Sequence, residues 1–190
     1  DGKVVFRSTN LHTGAEITIS AKVDEPGVCA LPGSYFSQVL SGIPNQETII
    51  CETEGDIFHI KTKKSKSKLK TFPVDDFPEL PKKIDGDTEI ILPTSDFLSG
   101  MKSVLFAGSN SDIKPELSSI YITGKENNLY FVATDAFRLA EKKIAFINAE
   151  SIGSFLLPIK NAQDIIKILS DSDEDVKLSV NDHQIYLQTQ

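Results

Sequence analysis

The chain has 190 residues, 39% of them hydrophobic, with a formal net charge of −7 and two cysteines. That length and apolar content suffice for one large or two ordinary packed domains, and no run of about 18 apolar residues marks a membrane-crossing helix. Cys29 and Cys51 have no His or Cys near them at metal-ligand spacing, which argues against a zinc centre and leaves two free, buried, reduced thiols as the expectation.

The opening DGKVVFRSTN lacks both the charged and the apolar part of a signal peptide, and it reads as the middle of a hairpin formed by KVVFRST (3–9) and AEITISAKV (15–23). A piece of a longer, cytoplasmic protein is therefore expected. CALP (29–32) then ends a short apolar strand on proline, and helical spacing follows over about 35–42. Proline fixes φ and has no N–H for a sheet ladder, so it suits the point where a strand stops and a helix begins. Strands ETIICE (47–52), DIFHIKT (56–62) and SKLKTFPV (67–74) come next, the first two joined by the turn TEGD. Within KTKKSKSKLK (61–70), alternation sends Lys64, Lys66, Lys68 and Lys70 to one strand face, as either a nucleic-acid patch or a solvated edge strand.

DDFPELPKKIDGDT (75–88), rich in charge and proline, reads as a linker between a domain over 1–80 and a second over 81–190. Beyond it the pattern recurs. IILP (90–93) leads into a helix over about 95–104, then the insertion FAGSNSDIKPEL (106–117), then strands LSSIYIT, NLYFVAT and RLAEKKIAF. FLLP (155–158) leads into a helix over about 161–170, strands DVKLSV and QIYLQTQ, and between them the turn NDH (181–183). Pro32, Pro93 and Pro158 stand 61 and 65 residues apart, so a unit of about 60 residues repeats: strand, short amphipathic helix, antiparallel strands. That is an α+β architecture. Charge is uneven, with 11 basic and 11 acidic groups in residues 1–84 against 9 and 16 in residues 85–190. A mean charge cannot exclude a basic face on an acidic body.

The stretch FVATDAFRL (131–139) falls between the last two strands of the second unit. Asp135 there is a catalytic carboxylate, a metal ligand, or a turn residue bonding its own backbone. Catalysis would need a second carboxylate, a nucleophile with its base, or a phosphate-cradling glycine loop, and none of these lies in the sequence. Phe137 and Leu139 flank Arg138, so the turn can present apolar groups to solvent.

At these residues the chain resembles the beta sliding clamp, the processivity subunit of bacterial DNA polymerase III: ATDAFRLA (133–140), STNL (8–11), DDFPEL (75–80) and LPIKNAQDIIKIL (157–169) all match its pattern. The resemblance implies a DNA-clamp fold, with three similar domains per subunit, two subunits in a head-to-tail homodimer ring, and helices around a DNA-sized hole. This chain would cover most of the first domain and most of the second, without the first strand and helix or the third domain, and such a fragment can remain monomeric. Also implied is a pocket for short linear peptides of the replicative polymerase and clamp-loader subunits, formed here by Leu117, Thr134, Ala136, Phe137, Arg138 and Leu139 and completed by sequence beyond Gln190. Double-stranded DNA would be held by topology, independent of sequence, with Lys102, Lys114, Lys160 and Lys167 facing it. The first helix, SYFSQVL, departs from the pattern by having no basic residue. Neither catalysis, cofactor nor metal is implied. Two other readings stay open: an α+β protein-binding module without a DNA role, and an enzyme whose acid is Asp135.

Overall fold

At each of the three Leu-Pro sites an extended segment hands over to a helix in the computed structural model, which describes residues 2–81, 88–111, 113–181 and 184–189. The helices are α1 (Gly33–Ser41), α2 (Thr94–Val104) and α3 (Ile159–Leu169), preceded by Pro32, Pro93 and Pro158 with φ of −67°, −55° and −54°. In each case the proline, still extended in ψ, is the last residue before the helix: it has no N–H for a sheet ladder, and its fixed φ prepares the next turn. The chain divides into two compact units, Asp1–Pro81 and Lys82–Gln190. Of the sequence features noted above, residues 82–87 of the linker, Asp112 of the insertion, and Asp182 and His183 of the NDH turn lie outside the described residues.

In the first unit, β1 (Gly2–Thr9) and β2 (Gly14–Ala21) form an antiparallel hairpin with Val4 opposite Ile19 and Phe6 opposite Ile17. Direct partners share a face, so these four side chains make one apolar surface. The STNL segment builds the turn: Asn10 Oδ1 accepts the His12 and Thr13 N–H groups at 3.0 and 2.7 Å, while Leu11 takes a left-handed φ of 72°. A three-strand sheet follows in the order β3 (Ile50–Glu54), β4 (Ile57–Lys61), β5 (Lys66–Lys70). Aromatic contacts join these layers. Phe36 of α1 stacks on Phe6 and meets Phe58 edge-on, both at 6.1 Å between ring centroids. Three expectations are corrected here. The strand expected at CALP is a single bridge between Ala30 and Phe72, because Pro32 and Pro73 leave no donor to lengthen the ladder. Lys64 sits in the bend before β5, so only Lys66, Lys68 and Lys70 alternate along that strand. The thiols are not buried: Cys51 is exposed and Cys29 only half-buried, although partial burial still pushes both thiols up.

In the second unit the strands are β6 (Thr88–Pro93), β7 (Ser119–Lys125), β8 (Asn128–Thr134), β9 (Leu139–Ala145), β10 (Ser154–Pro158), β11 (Asp175–Val180) and β12 (Ile185–Gln188). They form two antiparallel sheets, ordered β10-β7-β8-β9 and β12-β11-β6. The repeated copies therefore exchange strands. β6 precedes α2 but pairs with β11, which follows α3, and β10 precedes α3 but pairs with β7, which follows α2. Each copy completes the other's sheet, which ties the two into one core. That core packs the apolar stripes of α2 and α3 (Phe97, Met101, Ala162, Ile165) under sheet residues such as Ile120 and Phe131. Fully burying each large side chain contributes about 1.5–3 kcal/mol. Packing is close enough that a Cβ on Gly100 of α2 would stand 2.5 Å from the Phe131 ring.

Candidate functional site

Residues 135–138 connect β8 to β9, and with Thr134 at the end of β8 the turn satisfies its own polar groups. Thr134 Oγ1 donates to the Arg138 carbonyl at 2.7 Å and accepts the Ala136 N–H at 3.1 Å. Asp135 Oδ1 accepts the N–H groups of Phe137 and Arg138, both at 3.0 Å, and Oδ2 accepts Arg138 Nε at 3.0 Å. The N–H groups of Phe137 and Arg138, with the nearby guanidinium adding to them, hold the Asp135 carboxyl below the usual carboxylate range. Of the three roles open to Asp135, this geometry supports the turn organiser. A proton donor would need a raised pKa, and three donors here stabilise the ionised form instead. No group of three His, Cys, Asp or Glu residues able to hold a metal occurs among the described residues.

The backbone pattern decides which side chains leave the protein. Ala136 takes a left-handed φ of 76°, tolerable for a small residue and costly for a bulky one. The next residues are thrown outward: Phe137 is 97% exposed and Leu139 68%. Such bare apolar groups on a rigid turn gain nothing from water, so they favour any surface that can cover them. Leu117 lies in the preceding loop, half-buried, its carbonyl accepting the Ser109 N–H at 2.8 Å. That loop opens with a 3-10 turn at Leu105–Ala107, and from it Phe106 reaches the Arg138 guanidinium at 5.8 Å. Phe106 belongs to this surface, and sequence reasoning missed it. Helical spacing gave no signal for it, because α2 ends at Val104 and Phe106 lies in the 3-10 turn beyond.

Of the basic candidates, Lys102, Lys160 and Lys167 project from α2 and α3, which pack side by side, and all three are exposed. Lys102 and Lys167 occupy last turns, where a cation complements the helix dipole. Lys160 stands in the first turn of α3, where a cation opposes the dipole by roughly 0.3–1 kcal/mol. Between α2 and the segment after α3 lies an open cleft of about 540 Å³, lined by Ser95, Ser99, Lys102, Ser103 and Ser170 among others. Lys114 is exposed in the insertion loop, its carbonyl accepting the Leu117 N–H at 3.0 Å. The structure thus groups three lysines on adjacent helices and leaves Lys114 on another element. In the first unit, Lys66, Lys68 and Lys70 project from β5, and Lys61 beside them pairs with Glu52.

The profile described as DNA polymerase III beta subunit, N-terminal domain, matches residues 1–81, and that of the central domain matches residues 91–190. The beta sliding clamp of Staphylococcus epidermidis is 27% identical over 193 residues, covering 97% of this chain and 51% of that protein. The crystal structure of the Thermotoga maritima DNA polymerase III beta subunit is similar with a TM-score of 0.90 at 25% identity, covering 100% of this chain and 51% of that one. A Pseudomonas aeruginosa sliding clamp bound to griselimycin shares the fold with a TM-score of 0.89 at 21% identity, covering 98% of this chain and 51% of that one. The chain spans about half the length of the curated relatives it matches.

Proposed function

The chain belongs to the DNA polymerase III beta-subunit family, and from that premise we propose that it is part of a sliding clamp, a ring that encircles duplex DNA and tethers the polymerase. The observation that carries this reading is the turn at 134–138, which spends its polar groups on itself and leaves Phe137 and Leu139 bare. A surface of this kind suits a short linear peptide with a Leu or aromatic anchor, carried by the replicative polymerase or a clamp-loader subunit. Leu117, Thr134, Ala136, Phe137, Arg138 and Leu139 form this chain's share of the site, and residues beyond Gln190 supply the rest. Lys102, Lys160 and Lys167 on the adjacent helices, with Lys114 on its loop, face the DNA. Contacts of that number suit a ring that slides, because phosphate contacts hold without reading sequence and a topological link needs no tight grip.

In this reading the protein is a non-catalytic, cytoplasmic accessory subunit that forms a homodimer ring at full length. Residues 1–81 contribute most of one clamp domain and residues 82–190 most of the next. The test is retention on DNA. Full-length protein loaded on a nicked circle should stay bound at high salt and be released when the circle is cut. Equal loss from circular and linear DNA would reject the topological reading.

A further inference from the structure

We infer that the STNL turn of the first unit is a structural copy of the exposed turn in the second, closed from within by Leu80, and that removing Leu80 opens a second peptide-docking surface on this chain. This rests on the peptide-binding reading above and concerns a different place in the fold. Residues 10–13 connect β1 to β2 as residues 135–138 connect β8 to β9, and the flanking pairs are Thr9 with Gly14 and Thr134 with Leu139. The hydrogen bonds repeat as well. Thr9 Oγ1 donates to the Thr13 carbonyl and accepts the Leu11 N–H, both at 3.0 Å, the same two bonds that Thr134 makes with Arg138 and Ala136. Asn10 Oδ1 accepts the N–H groups of His12 and Thr13 as Asp135 Oδ1 accepts those of Phe137 and Arg138, and Leu11 shares the left-handed φ of Ala136, 72° against 76°. Position 14 therefore stands in the first unit where Leu139 stands in the second, and there it is glycine.

Leu80 fills the space that this glycine leaves. A Cβ on Gly14 would stand 2.7, 3.6 and 3.7 Å from Cδ2, Cγ and Cδ1 of Leu80, so the end of that side chain lies against the turn. Leu80 is half-buried, where Leu139 is bare. The DDFPEL segment delivers it: after a 3-10 turn at Val74–Asp76 the Phe77 N–H donates to the Val74 carbonyl at 3.1 Å, and Pro78 restricts the approach. A leucine carried by the same chain acts at an effective concentration on the order of millimolar, so a free peptide at micromolar concentration does not displace it. Leu11, 80% exposed on the same turn, is apolar surface that an incoming peptide would meet once Leu80 is gone.

The test uses the full-length chain carrying Leu139→Ser, which disables the second unit's surface, and titrates into it by calorimetry an eight-residue peptide with a central Leu-Phe. Adding Leu80→Ser should tighten the dissociation constant at least about fivefold over Leu139→Ser alone, the scale of one covered leucine anchor. Adding Leu11→Ser to that pair should remove the gain, which locates it at this turn. Gly14→Leu on the Leu139→Ser background opens the surface by a second route, displacing Leu80 and supplying a bare leucine of its own, and should tighten binding to a similar extent. The φ of Gly14 lies outside the left-handed region, so the backbone admits that side chain. Thermal melting identifies the folded variants. A folded Leu80→Ser or Gly14→Leu variant that binds no more tightly than Leu139→Ser alone overturns the inference. Binding by the parent that Leu139→Ser does not weaken overturns the peptide-site reading itself, and the inference with it.

Discussion

Replacing Leu139 by serine separates a binding role from a structural one, because the structure assigns the two opposite magnitudes. The side chain is 68% exposed, so folding gains little from it and a surface substitution of this kind shifts stability by no more than about 0.5 kcal/mol. A partner that covers it recovers about two-thirds of the roughly 1.5–3 kcal/mol available from full burial of a leucine, or about 1–2 kcal/mol. That corresponds to roughly a 5- to 30-fold weaker dissociation constant for Leu139→Ser. The assay is calorimetric titration of a peptide with a Leu-Phe anchor into the full-length chain, with thermal melting of parent and variant alongside. An unchanged constant would mean the turn is only a turn. A large fall in melting temperature would mean that Leu139 packs against its own protein, contrary to its exposure.

Other consequences test the core, the turn and the helices separately. Gly100→Ala should destabilise the second unit by up to about 2 kcal/mol, since overpacking against the buried Phe131 ring (roughly 1–3 kcal/mol) is offset only in part by a helix-propensity gain of about 1 kcal/mol; a raised melting temperature would contradict the packing. Asp135 has a folded pKa below its unfolded value, so its stabilisation is present above the ordinary carboxylate range and lost as pH falls through the lower folded value. Asp135→Asn should therefore melt below the parent near neutral pH, and the gap should close only as the pH falls below the ordinary carboxylate range, whereas a constant offset across pH would deny the ionised role. Lys160→Glu combined with Lys167→Glu should shorten retention on circular DNA, most at low salt. Equal retention across a salt series would remove these lysines from a DNA role.

What the sequence determined by itself is local. Pro32, Pro93 and Pro158 marked the starts of the three helices because a missing N–H and a fixed φ act within one turn of chain. Alternation in NLYFVAT gave the buried face of β8, where Leu129, Phe131 and Ala133 point inward, since successive strand residues must point to opposite sides. The turn role of Asp135 was legible as well, its carboxylate bonding N–H groups only two and three residues away. Strand partnership was not legible. The repeat did not say which strands pair, and β6 and β10 each cross to the other copy's sheet, a choice made by packing between residues 31 to 92 positions apart. Phe106 and Arg138, 32 residues apart, meet only because the loop from Gly108 to Ser118 folds back on itself, and no period in the sequence encodes that contact. Exposure was the last thing settled by the tertiary structure. Phe137 and Phe131 are the same residue type six positions apart, and only the backbone path, left-handed at Ala136, puts one in water and the other in the core. Hydrophobicity fixes what a side chain prefers, and the geometry of the assembled sheets fixes which side chains obtain it.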